Sequence, residues 1–211
     1  MRFLLLLVVL AVPAAPVHGQ SLTVGGAIQY DVQRFDGDSS LNRLDGESLG
    51  WMLVGGARID HWLIRGEGSR GETIRNRQTL MLTVNERPTT ITSELSHDMR
   101  EISVLGGYTH DVGGRLEAAI LGGLSAVTVH RTFTTDAGQL ILIPPSTVPA
   151  TAVTTTFVDR FKAWTAEADV VVHATRHIGV LGGVRVQPIS LADDLSGRSV
   201  RTFAGLVWQF T

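Results

Sequence analysis

Three features of the sequence predict an all-β chain, an eight-stranded antiparallel up-and-down transmembrane β-barrel with short periplasmic turns and long outer loops. Runs of about ten residues alternate apolar with small or polar side chains, the length at which a tilted strand crosses a bilayer. The connections between these runs alternate between long and short. Paired glycines interrupt the most apolar runs, at 25–26, 55–56, 106–107, 122–123 and 182–183.

The leading segment stands outside this pattern. MRFLLLLVVLAVPAAPVHG carries Arg2, an apolar stretch Phe3–Val12, the helix breaker Pro13, and Val17 and Gly19 at the −3 and −1 positions before Gln20. This is the grammar of a secretory signal peptide, and it is too short to span a membrane as a helix. It assigns residues 1–19 to a cleaved signal and 20–211 to one barrel domain.

From Leu22 the period is two. One parity of the first run reads Leu22, Val24, Gly26, Ile28, Tyr30, Val32, and the other reads Thr23, Gly25, Ala27, Gln29, Asp31, Gln33. The second run sets Trp51, Leu53, Gly55, Ala57 and Ile59 against Met52, Val54, Gly56, Arg58 and Asp60. From Leu63 an extended run continues to Val84, turns at NERP (85–88) and returns to His110. Further alternating runs occupy 115–128, 164–174, 178–188 and 201–210. Side chains on a strand alternate between faces, so each run has one apolar face and one mixed face.

The long connections are 36–48, the 63–110 hairpin tip, the excursion around PPSTVP (144–149), and 192–198; the short ones are 60–62, 111–114 and 174–177. Such segregation of loop lengths is expected of a transmembrane barrel and has no cause in a soluble sandwich. The glycine pairs fit as well. A narrow barrel coils and tilts its strands strongly, so each pair is expected to set one glycine toward lipid and one against the crowded inner wall. A phosphate-cradling loop is the competing reading, but it needs a following helix that the sequence does not supply.

Composition narrows the function classes. Without cysteine, disulfides and thiolate metal sites are excluded. Removing Arg2 leaves 17 basic against 20 acidic residues, which is no nucleic-acid signature. Histidines 61, 110, 130, 173 and 177 are scattered without metal-ligand spacing, so neither metal nor cofactor is expected.

The signal segment, the eight alternating runs and the closing RTFAGLVWQFT together resemble the small outer-membrane β-barrels of the OmpX and OmpA type. The resemblance implies an outer-membrane location, a monomer, and a C-terminal signal read by the barrel-assembly machinery, filled here by Trp208 and Phe210. Thr211 places the terminal aromatic one residue early.

Charges on a lipid-facing surface cost about 2–4 kcal/mol for arginine at the midplane, so the charged parity is expected to face the lumen. The expected interior network comprises Arg58, Arg65, Glu67, Glu117, Glu167, Asp169 and Arg185, with Asp31 and Arg201 on the same parity. Trp51, Trp62, Tyr108 and Trp164 are the expected interfacial belt, joined by Trp208 and Phe210.

The function expected is structural, or surface interaction through the outer loops, with outer-membrane lipid as surroundings. The 63–110 hairpin is expected to project as a β-ribbon that offers an extracellular protein partner a strand edge. One alternative is a lipid-modifying barrel enzyme. Its candidate residues are Ser96, His97 and Asp98, although consecutive strand residues point to opposite faces. The other is a soluble lipocalin-like barrel, which would be apolar inside and polar outside.

Overall fold

The computed structural model describes residues 20–36, 44–84, 87–136, 152–191 and 196–210. The expected signal peptide, the middle of the 36–48 connection, the PPSTVP excursion and Thr211 lie outside these residues. Nine strands form among the described residues: β1 Gln20–Asp36, β2 Gly46–Ile59, β3 Trp62–Gly71, β4 Ile74–Val84, β5 Arg87–Val112, β6 Leu116–Asp136, β7 Val153–His173, β8 Ile178–Ser190 and β9 Ser196–Phe210.

Every pairing is antiparallel, and sequential neighbours pair along the wall except β3 and β4. Two further pairings close it into a ring, β1 with β9 and β3 with β5. The run expected as one strand from Leu63 to Val84 is broken at 72–73 into β3 and β4, which share β5 as partner in succession. The wall therefore has eight positions, with β4 stacked above β3.

Register fixes the shape. Starting at Ile59 and stepping to the directly opposite residue gives Trp62, Tyr108, Ile120, Ala168, Val184, Thr202, Tyr30 and finally Leu49, back on β2. The circuit returns ten residues away from its origin. With about 3.3 Å rise per residue and about 4.8 Å between strands, that stagger tilts the strands by about 40°.

The outward face is apolar over a band whose large residues include Leu22, Val24, Ile28, Trp51, Leu53, Ile64, Ile102, Val104, Ile120, Leu124, Trp164, Val170, Val184 and Leu206, all exposed. The band spans about seven to nine residues per strand and, at that tilt, stands roughly 20 Å tall, close to the apolar band of about 25 Å around outer-membrane barrels. On β5 it covers Ile102–Tyr108, and above it β5, β6 and β7 continue outward. The excess is more than the expected two-stranded ribbon. Residues 92–112 of β5 pair with β6, so β4 to β7 rise together as a wall, and only the tip beyond Thr92 is a two-stranded hairpin. Of the turn expected at 85–88, Arg87 and Pro88 already belong to β5, and 85–86 lie outside the described residues.

Of each glycine pair, the inward member is the crowded one. A methyl group on Gly107 would collide with the Ile120 carbonyl, and one on Gly123 with the Val104 carbonyl, while Gly106 and Gly122 have room outside. The β5–β6 turn uses glycine for a second reason, since Gly113 and Gly114 have φ of 74° and 72°.

Candidate functional site

The inward parity of eight tilted strands converges on a narrow axis, so side chains from opposite walls meet. Most charged residues of this parity fall into two clusters, with the pair Arg131–Asp159 apart from both. The larger is central: Arg65, Glu67, Glu101, Glu167, Asp169, Arg185, Arg201 and Asp31 are all buried.

Arg65 of β3 reaches across to β7, with Nη1 2.7 Å from Glu167 and 2.5 Å from Asp169, and lies 3.7 Å from Glu67. Arg185 of β8 is the hub, donating through Nε to Glu167 at 2.8 Å, pairing with Glu67, and lying 3.3 Å from Glu101. Arg201 of β9 binds Glu101 at 2.5 Å and lies 3.4 Å from Asp31. Serines complete the acceptors' shells. Ser103 donates to Glu101 at 2.6 Å and Ser199 to Asp31 at 2.5 Å.

The chain of contacts continues upward, where Gln33 donates through Nε2 to Asp31 at 2.8 Å and accepts at Oε1 from His97 Nε2 at 3.0 Å. His97 is buried five residues beyond the apolar band, and that burial pushes its imidazole down to about 4, although Asp31 opposes the shift. Arg131 and Asp159 pair beside this layer at 2.6 Å.

The second cluster sits at the short-turn rim. Arg58 holds Asp111 and Glu117, each at 2.8 Å, and His173 lies 3.6 Å from Glu117. The hydrogen bond from Arg58 holds the Asp111 carboxyl below its ordinary range, and Asp111 itself is exposed. Arg58 and Glu117 were expected in one network with Arg65, Glu67, Glu167 and Arg185. They stand apart, because Val54, Leu63, Val171 and Val207 separate the two clusters around a cavity of about 30 Å³. Below the rim cluster a mouth of about 500 Å³ opens between the turns at 114–117 and 173–176.

The interior is also less uniformly polar than expected. Ala27, Met52, Val54, Val171, Leu181, Phe203 and Val207 form one buried apolar cluster; Leu63, Leu105, Ala119 and Leu121 form another. Above the central ions, Leu44, Met99, Val127, Val129, Ile189 and Leu191 pack together, with Phe35, Leu95 and Phe161 against them. Small or aliphatic side chains fill volume beside the ions without adding charge to desolvate.

Glu101 was not among the expected residues, although its signal was present. Ile102, Val104, Gly106 and Tyr108 form the outward parity of β5, which sends Glu101 inward. The six aromatic residues all point outward: Trp62, Tyr108, Trp208 and Phe210 near the short-turn end, Trp51 and Trp164 near the other. Trp62 packs edge-on against Tyr108 at 6.0 Å, and His61 and His177 stack on Tyr108 and Trp208.

Ser96, His97 and Asp98 do not converge. His97 is buried against Gln33, Ser96 contacts the Thr132 carbonyl at 3.5 Å, and Asp98 lies 3.5 Å from Arg100 on the outer face. Among the described residues no group of three or more His, Cys, Asp or Glu is placed to hold a metal. The lipocalin-like alternative fails on the distribution of polarity, which is apolar outside and ionic within.

No family model matches the chain, and no curated protein matches it. Among solved structures it is similar to Ail, the attachment invasion locus protein of Yersinia pestis, in complex with the heparin analogue sucrose octasulfate. Identity there is 14%, over 92% of this chain and 100% of that one, with a TM-score of 0.48. It is similar also to OprG of Pseudomonas aeruginosa (10% identity, 91% and 96% covered, TM-score 0.47). Neisserial surface protein A gives 13% identity, 90% and 97% covered, and a TM-score of 0.42. By its own geometry, a closed antiparallel ring that is ionic within and apolar around, the chain has the fold of a membrane-spanning β-barrel.

Proposed function

We propose that this chain is a monomeric, non-conducting outer-membrane barrel that works through the part of its wall standing above the membrane. One observation carries the reading. The unbroken run of ionic and hydrogen-bonded contacts from Asp169 to His97 crosses the lumen between β3, β7, β8, β9, β1 and β5. A lumen occupied by paired charges serves the wall's rigidity rather than transport, which leaves the outer wall of β4 to β7 as the surface available to a partner. Trp208 and Phe210 keep their assigned part as the C-terminal assembly signal.

Single cysteines test the orientation cleanly, because the native chain has none. With Met81→Cys on the outer hairpin, intact cells should take up an impermeant maleimide. With Arg115→Cys in a short turn, they should do so only after permeabilisation. The reverse pattern would place the long wall in the periplasm and end the surface reading.

A further inference from the structure

Where the apolar band stops, the outward side chains become cationic on one arc of the wall. Stepping across directly opposite residues just above the band gives Arg70 on β3, Arg100 on β5, Thr128 on β6 and Arg160 on β7. One step lower, Gly68, Ile102 and Ala126 lead to Lys162. Arg70, Arg100, Arg160 and Lys162 are all exposed and share the parity of Ile102, Val104 and Trp164 beneath them. Arg75 is exposed on β4 immediately above.

Like charges placed directly opposite on neighbouring strands repel, and Arg70 faces Arg100 in this way. Among the described residues the carboxylate paired with this group is Asp98, 3.5 Å from Arg100. Four cations against Asp98 and the exposed Glu72, two residues beyond Arg70, leave a surplus of positive charge that a bound anion would relieve. On the far side of the barrel exposed Arg34 and Arg198 are matched by exposed Asp36 and Glu47, so the surplus is concentrated on β3 to β7.

We propose that Arg70, Arg100, Arg160 and Lys162 form a docking site for the phosphate groups of lipids in the outer leaflet. The same arc carries Ile102, Val104, Leu124 and Trp164 directly below, so a lipid seated there lays its acyl chains on the apolar band while its headgroup reaches the cations. That continuity selects a lipid over a free anion. Basic side chains at a membrane surface attract anionic headgroups, and long stems let Arg and Lys reach them from below. The site deepens the functional reading and rests on it, since it requires the barrel to span the membrane with β4 to β7 outward.

The test uses the full chain in nanodiscs of phosphatidylcholine containing either bisphosphorylated lipid A or its dephosphorylated form. The glycolipid retained per barrel is counted by native mass spectrometry. Retention of the phosphorylated form should exceed that of the dephosphorylated form by about tenfold. The R70Q/R100Q/K162Q variant should lose that preference, and R70K/R100K should keep most of it.

Heat-modifiable gel mobility shows whether each variant is closed. Equal retention of both lipids, or an unchanged preference in a closed triple variant, overturns the site. Displacement of the phosphorylated lipid by an equal concentration of inorganic phosphate at constant ionic strength, with the barrel still inserted, would make it a free-anion site and overturn the lipid assignment. A chain that fails to enter the nanodisc brings down the membrane reading and the site with it, a failure distinguishable from a barrel that inserts without preference.

Discussion

The central cluster and the short-turn rim hold similar charged pairs, and the contrast between them shows what burial does to the same chemistry. In the central cluster Arg185 and its carboxylates expose 2% of their side-chain surface or less. At the short-turn rim Arg58 binds Asp111 at 2.8 Å, a comparable contact, but Asp111 exposes 56% of its side chain. Water screens the rim pair and leaves it worth little. The central ions have surrendered their hydration, so each depends on its partners, and removing one strands the others.

The largest effect should follow from breaking the central cluster. Glu167→Ala removes one of the two carboxylates that Arg65 and Arg185 share, the other being Glu67, and should cost about 3–5 kcal/mol, measured by urea unfolding in lipid vesicles. A loss below about 1 kcal/mol would mean that water reaches the network, and that the two clusters do not differ as described.

His97 tests how far the dry interior extends upward. Its ordinary value is 6.5, and burial lowers it to about 4 in the folded barrel. Between those two values the unfolded chain binds a proton that the folded chain refuses, so stability should fall as pH drops through this window. His97→Gln should flatten the fall, and an NMR titration should place the imidazole midpoint near 4. A midpoint at 6.5 would show a hydrated upper lumen.

The smallest effect belongs to the rim. Asp111→Asn should cost less than about 1 kcal/mol, and the difference should vanish in high salt. The sign follows from its lowered carboxyl. The contribution is present above the ordinary carboxylate range and is lost as pH falls through the lowered value. A salt-insensitive cost as large as that of Glu167→Ala would erase the distinction between the clusters.

Much of this was legible in the sequence, for a physical reason. Period-two alternation against lipid is strict, because one misplaced arginine is costly, so the outward faces of β1, β2, β7, β8 and β9 can be read directly from their residues. The inward face tolerates Met52, Leu105 and Phe203 beside Glu67 and Arg185, and its parity is correspondingly noisy. That noise hid Glu101, which a reading of Ile102, Val104 and Tyr108 as lipid-facing would have recovered. Separation of the Arg58 cluster from the centre was not legible, since it depends on the ten-residue stagger that sets which inward residues share a level. The break at 72–73 was likewise hidden: it moves the inward positions from odd on β3 (Leu63, Arg65, Glu67) to even on β4 (Ile74, Asn76, Gln78), but polar residues on both faces of 65–79 mask that shift.

Planar-bilayer recording on the refolded, heat-modifiable full chain tests the central claim most directly. The buried network predicts a sealed membrane with no resolved current steps over long recordings. Stepwise conductance from that folded protein would contradict it, since ions would then be passing where Arg65, Arg185 and Arg201 are held by their carboxylates.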